Sequence, residues 1–368
     1  MNNKNPYTPL KINYHQNELQ EMRNGKQPNP ILVQIVISDL CNHDCNFCSY
    51  RMTGYTSNQL FGVMDKKTGE VNNNPSRFLP YEKIKEILED CKEIGVKAIE
   101  LTGGGEPTVH PAHPEVFRKT LELGLDLALV TNGMILRQES MPSLMNAKWI
   151  RVSLDAGTPN TYGNIRKVKP DTFWRVIENI DKIVKKRNGQ NEPTLGISFV
   201  VTKENYTEIL TATNIAKKSG ADYIRFGAMF SQEDEKYYDG ILKEIHHSCR
   251  EAESISTNQF QVFNQFNKRL GDLLQKNPDY KYCGHMQVNT YVGADMNVYR
   301  CCALAYNKRG LIGSIENQRF KDLWQSQEKQ NDFDNFDARK CKRCPFNDKN
   351  REINNLIQMQ TPMHINYV

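Results

Sequence analysis

Residues 31–48 read Ile31-Leu-Val-Gln-Ile-Val-Ile-Ser-Asp-Leu-Cys41-Asn-His-Asp-Cys45-Asn-Phe-Cys48. An apolar, strand-like run is followed at once by three cysteines, spaced by three and then two residues. Three thiolates that close together can hold three irons of a four-iron cube and leave the fourth iron open to a small chelating molecule. Tetrahedral zinc wants a fourth protein ligand, and His43, inside the run, is expected to be a solvated loop residue rather than that ligand. Structural disulfides fit poorly. The cysteine count of 10 is even, but the segment MNNKNPYTPLKINYHQNE has no apolar signal core, and a chain of 368 residues does not need staples.

The rest of the composition is that of a globular protein: 25% charged and 38% hydrophobic residues, with a formal net charge of +5. No stretch approaches the roughly 20 apolar residues needed to cross a bilayer, so no membrane partner is expected. Reduced thiols point to a cytoplasmic location. The mild positive balance, without a basic arm or recognition motif, disfavours nucleic acid as a partner without excluding it.

Outward from the cysteine loop, strands are predicted at 31–38, 97–101, 126–130, 149–154, 195–202 and 222–228, alternating with helices. Residues 81–94 and 171–186 carry helical apolar stripes, the first including Cys91 as a small core side chain. Asp171 is expected to cap the second helix, Asn205 the helix running to about Lys218, and Gly220 to end that helix. Cys249 reads as a partly buried helix residue. Residues 1–30 look like an extended polar lead-in. Residues 49–80 form a long polar insertion, expected over a functional mouth, with a disordered surface loop as the alternative. Near residue 280 the rhythm changes to Cys283, a hairpin over 286–301, Cys301-Cys302, a short helix near 318–328 and Cys341-Lys-Arg-Cys344. The expected division is a core at 31–270, a cysteine-rich domain at 271–350 and a tail at 351–368.

The Cys41–Cys45–Cys48 spacing, Phe47 just before the third cysteine, and Leu101-Thr-Gly-Gly-Gly-Glu-Pro107 after the second strand resemble the radical S-adenosylmethionine (radical SAM) superfamily. That resemblance implies an α/β fold, a partial (β/α)6 TIM-type barrel with its site at the C-terminal strand ends. It also implies a [4Fe-4S] cluster held by Cys41, Cys45 and Cys48 and by the amino and carboxylate groups of S-adenosylmethionine. Gly103, Gly104, Gly105 and Glu106 are implied to contact the cofactor's amino group, with Phe47 beside the cluster. Looser matches are Asn132 as an adenosyl contact, Ser153 and Asp155 as ribose or carboxylate contacts, and Arg166 as an arginine kept near the site. The implied reaction is reductive cleavage of the cofactor, with a 5′-deoxyadenosyl radical taking hydrogen from substrate. A flavodoxin- or ferredoxin-type donor is the implied source of the electron.

Cys283, Cys301, Cys341 and Cys344 resemble the ligand set of the twitch module, a shortened SPASM domain, and imply one auxiliary [4Fe-4S] cluster. Zinc on the same four thiolates is the alternative. Cys301 rather than Cys302 is the expected ligand, by the usual position after the hairpin. The cysteine layout is similar to that of 2-deoxy-scyllo-inosamine dehydrogenase. A second cluster with no open iron suits electron acceptance, hence net two-electron oxidation of a small polar substrate such as a sugar or aminocyclitol. The alternatives are a peptide-modifying maturase, a nucleotide- or nucleic-acid-modifying enzyme and, in a different class, an iron–sulfur scaffold or electron carrier.

Overall fold

Alternating buried residues build the sheet. In a computed structural model describing residues 5–50, 63–64, 71–72, 77–230, 234–275 and 277–359, six strands fall where the apolar runs predict them. They are β1 (Leu32–Ile35), β2 (Ala98–Leu101), β3 (Asp126–Thr131), β4 (Trp149–Ser153), β5 (Thr194–Val201) and β6 (Tyr223–Ala228). They lie parallel and in chain order. Ile99, Leu127, Ile150, Ile197 and Ile224 point outward into the core shared with the helices. The opposite face of the same strands, holding Glu100, Arg151, Ser198 and Arg225, is the interior of a partial barrel.

Two features exceed the expectation. A seventh parallel strand, β7 (Gln261–Asn264), adds to β6; its four residues are too short a run to stand out in the sequence. On the other edge, the hairpin expected inside a separate cysteine-rich domain joins the barrel sheet. Its first strand, β8 (Asn289–Val292), pairs in parallel with β1, and β9 (Asn297–Tyr299) and β10 (Leu311–Ser314) continue antiparallel. The result is one ten-stranded sheet.

The chain ends are also more structured than expected. Residues 1–30 are not simply an extended lead-in: they form the helix Gln16–Arg23, which packs on the helix Asn347–Gln358. Leu19, Met22 and Ile353 bury their side chains in that contact. The supposed tail therefore begins as a helix, its apolar positions spaced among polar ones. Helix Tyr81–Glu93 has Cys91 fully buried, and Cys249 is buried in Leu242–Ser254. Gly220, at φ +74°, follows the helix Ile209–Lys218.

Both predicted side-chain caps are corrected. Asp171 has helical dihedrals and makes no side-chain cap bond, because the turn from Lys169 already leads into the helix. Asn205 heads a short 3-10 turn and its side chain is turned inward instead. Most of the 49–80 insertion lies outside the described residues; within them are its two ends, residues 49–50 and 77–80, and a ribbon pairing Val63–Met64 with Val71–Asn72.

Candidate active site

The loop 38–50 leaves the C-terminal end of β1, where barrel side chains and loops converge. Cys41, Cys45 and Cys48 are all half-buried on it, and none of the ten cysteines forms a disulfide. The loop is fastened from two sides. The N–H groups of Asp44 and Asn46 donate to the carbonyls of Arg166 and Ile165, at the end of the helix Pro159–Arg166. On the other side, the N–H groups of Gly105 and Glu106 donate to the carbonyls of Ser38 and Leu40, both at 3.0 Å.

Those contacts explain two of the glycines. A Cβ on Gly104 would meet the Asp39 carboxylate at 2.5 Å and the Tyr306 hydroxyl at 3.0 Å, and one on Gly105 would press into the Leu40 carbonyl. The Gly-rich segment lies backbone to backbone along the cysteine loop, as only glycine permits. Gly103 accepts from the Tyr291 hydroxyl at 3.1 Å.

Glu106 departs from its expected role. It is 2% exposed. Oε1 accepts from the Thr108 N–H (3.1 Å), the Thr108 hydroxyl (2.7 Å) and the Thr131 hydroxyl (2.6 Å), while Oε2 accepts from the Asn132 N–H (2.7 Å). A carboxylate offers about four acceptor sites, so these bonds commit it to tying the end of β2 to the end of β3. Burial raises its pKa, and the four donors oppose the shift. Asn132 in turn donates from Nδ2 to Asn42 Oδ1 at 2.6 Å, so Glu106 acts on the cysteine loop through Asn132.

A second buried cluster supports the loop from the β4 side. Arg166, expected near the site, is 4% exposed. It donates to Cys45 Sγ at 3.5 Å and to the Ser153 carbonyl at 2.6 Å, pairs with Asp155, and lies over the Phe47 ring at 5.6 Å. Asp155 sits at φ 55°, an uncommon conformation for a non-glycine. Its other oxygen accepts from the Val200 N–H at 2.6 Å. Asn205, missed as a site residue, holds this arrangement: Nδ2 donates to the carbonyls of Asp155 and Val200, both at 2.8 Å. Ser153 keeps its hydroxyl on the barrel interior, 3.4 Å from that of Ser198. His43 is not solvated: it is 3% exposed, its ring edge-on to Tyr162.

The four later cysteines also gather. Cys283, Cys301, Cys341 and Cys344 line one cavity with Tyr280 and Phe346, while Cys302 does not line it. Burial pushes their thiols up, Cys341 to about 11, so metal binding there must displace protons. Among the described residues no three His, Cys, Asp or Glu are drawn tightly enough to hold a single metal ion. Four thiols around one cavity are a donor set for a four-iron cube and equally for a tetrahedral zinc. Tyr280, a contact the sequence did not disclose, places its hydroxyl 3.5 Å from Cys344 Sγ and 2.9 Å from Asn347 Oδ1, with one proton for the two acceptors.

Among the described residues no helix is long and apolar enough to cross a membrane. The chain is 28% identical over 171 residues to the tungsten-containing aldehyde ferredoxin oxidoreductase cofactor-modifying protein of Pyrococcus furiosus, covering 45% of this chain and 48% of that one. It is 26% identical over 274 residues to the AdoMet-dependent heme synthase of Methanosarcina barkeri, covering 69% and 75%. It thus spans about half the length of the first relative and three quarters of the second. Streptococcus suis SuiB bound to S-adenosylmethionine shares the fold, with a TM-score of 0.60 at 14% identity over 87% of this chain and 71% of that one. Family models for the radical SAM superfamily and for the SPASM iron–sulfur cluster-binding domain match residues 35–216 and 283–345. The family brings a [4Fe-4S] cluster, S-adenosylmethionine and auxiliary iron–sulfur, and the two cysteine sets have the donor chemistry for them. The chain belongs to the radical SAM superfamily and carries a SPASM domain in its C-terminal part.

Proposed function

We propose that this radical SAM enzyme is an oxidoreductase that removes two electrons from a small polar substrate held in the barrel. The observation carrying this reading is the second thiol set, Cys283, Cys301, Cys341 and Cys344, in a module whose strand β8 is hydrogen-bonded to β1. A cluster held by four thiolates has no iron open to substrate, which leaves it an electronic or structural role.

When bound, the cofactors would supply the hydrogen-abstracting radical and an acceptor for the second electron. The chain's own residues do the positioning. Cys41, Cys45 and Cys48 hold the first cluster. Gly103, Gly104 and Gly105 keep the backbone low enough for the cofactor to approach, and Ser153 faces it from the barrel interior. Glu106 fixes Asn132, and the Asp155–Arg166 pair fixes Cys45. The functional division follows: residues 31–270 as core, with 271–350 as the auxiliary module. A flavodoxin- or ferredoxin-type donor provides the reducing electron.

The test is anaerobic turnover of the reconstituted protein. The reduced enzyme is expected to convert S-adenosylmethionine to 5′-deoxyadenosine and methionine without substrate, and Cys45→Ala to abolish this. With substrate, the product should be lighter by two hydrogens, with one 5′-deoxyadenosine per product. A product of unchanged mass removes the oxidoreductase reading and leaves the family assignment standing.

A further inference from the structure

The barrel interior carries a chemistry that the cluster sites do not use. Arg225 on β6 shares a register row with Ser198 on β5 and Ser153 on β4. All three lie on the face opposite the apolar residues Val152, Ile197 and Ile224, which pack under the helices. Arg225 is two strand spacings from Ser153, about 10 Å, which is the reach of a small substrate from the end of β4. Arg151 lies two residues before Ser153 on the same face. Arg269 stands on the helix Phe266–Leu274, which packs against β6, close enough to Arg225 for their charges to interact.

These cations are crowded together without a directly bonded carboxylate, with the Tyr7 hydroxyl and the Glu100 charge near Arg151. Burial and then the neighbouring charges of Arg151 and Arg269 lower the pKa of Arg225. Its Nε and the Nη1 of Arg269 are buried with no hydrogen-bond acceptor. Among the described residues none of Arg151, Arg225 and Arg269 forms an ion pair. The surrounding carboxylates are engaged elsewhere: Asp155 with Arg166, Asp272 with Asn347 and Glu100 with Gln34. Aromatic faces cover the guanidinium groups instead, with Arg225 5.2 Å from the Tyr7 ring centroid and Arg269 4.9 Å from that of Phe230. Buried like charges with orphaned donors are costly unless a counter-ion arrives, and a guanidinium fork matches an oxyanion in two hydrogen bonds.

We propose that Arg225 and Arg269, with Arg151 behind them, form an oxyanion-recognition site in the barrel lumen that binds a carboxylate or phosphate group of the substrate. The inference rests on the reading that the substrate occupies the barrel, and it narrows that reading. An organic acid or phosphate ester fits the lumen, whereas an aminocyclitol would bring an ammonium into a cationic site.

The experiment uses the full-length, iron-reconstituted protein with saturating S-adenosylmethionine, so that the cofactor's own carboxylate is already placed. Phenylacetate, phenyl phosphate and the neutral phenylacetamide serve as probes at matched ionic strength, read by calorimetric titration and by melting temperature. Either anion should bind and raise the melting temperature, and the amide should do neither; the preferred anion identifies the group as carboxylate or phosphate. Arg225→Gln with Arg269→Gln should weaken anion binding about tenfold or more, with iron content checking that the variant is assembled. Equal effects of amide and anions, or an unchanged affinity in the double variant, overturn the proposal. So does an anion effect seen only without S-adenosylmethionine, since that gives the arginines to the cofactor. Failure of the oxidoreductase reading shows separately, as a product of unchanged mass.

Discussion

The loop bearing Cys41, Cys45 and Cys48 and the cavity lined by Cys283, Cys301, Cys341 and Cys344 gather thiols in opposite ways. The first draws all three from eight consecutive residues and fastens them with backbone hydrogen bonds to a helix end and to the Gly-rich segment. The second draws four from segments up to 61 residues apart, in a region of short elements. One site is preorganised by a barrel that stands without it. The other is assembled from distant short segments, where a bound cluster would supply part of the free energy that holds them together.

The comparison breaks or sharpens under four perturbations. The largest expected effect is on the auxiliary side. Cys344→Ala should destabilise the iron-loaded protein by about 3–5 kcal/mol, whereas Cys45→Ala should cost less than about 1 kcal/mol. Thermal melts with iron analysis test this, with close to eight irons expected for the parent and about half for either variant. Equal losses of stability would erase the distinction.

Next comes the acid response of the barrel. His113 is 1% exposed, and burial brings its pKa down to about 4, with the His110 carbonyl at 2.9 Å opposing. The unfolded state takes up the proton first, so this stabilisation is complete above about pH 6.5 and is lost as pH falls toward 4. It amounts to roughly 3 kcal/mol at most. Denaturant midpoints of the parent and His113→Gln should converge as the pH is lowered through that window.

Asn205→Ala comes third. It leaves two buried carbonyls and the Thr202 N–H without their amide partner, at about 2–3 kcal/mol. It should also loosen Asp155 and thereby Arg166, weakening S-adenosylmethionine binding. Urea melts and cofactor titration read the two effects, and a stability loss with unchanged affinity would confine Asn205 to a structural role.

The smallest effect is that of Tyr280→Phe. Removing the hydroxyl that bonds Asn347 at 2.9 Å and stands 3.5 Å from Cys344 Sγ should cost about 1 kcal/mol and make the auxiliary cluster harder to reduce, since a polar hydrogen beside cluster sulfur raises the potential. Redox titration followed by electron paramagnetic resonance reads the shift. An unchanged potential would restrict Tyr280 to packing.

Much of the barrel was legible because its signals are local. Apolar runs such as Leu195–Val201 are strands wherever helices cover them, and the cysteine spacing is written in eight residues. What escaped depends on distant partners. Nothing near Asn289–Val292 says that it will pair with β1, more than 250 residues earlier in the chain. The helix Gln16–Arg23 is polar enough to pass for a linker until Ile353 covers it. Glu106 sits in a motif that reads as a ligand segment, yet its carboxylate is consumed by Thr108, Thr131 and Asn132. Asn205 looked like a helix cap because caps are the commonest use of asparagine in such a position; only the fold reveals the carbonyls that needed its amide.

The pairing of β8 with β1 also bears on how the protein is made. During synthesis β1 gains β2 on one side early, but its other edge stays bare until residues 289–292 leave the ribosome. Until then the strand leading into the cysteine loop presents unpaired N–H and C=O groups on that edge, the usual template for unwanted strand pairing. The β1 edge is sealed only by a strand more than 250 residues later in the chain, so a chain truncated before Asn289 would expose that edge next to Cys41, Cys45 and Cys48.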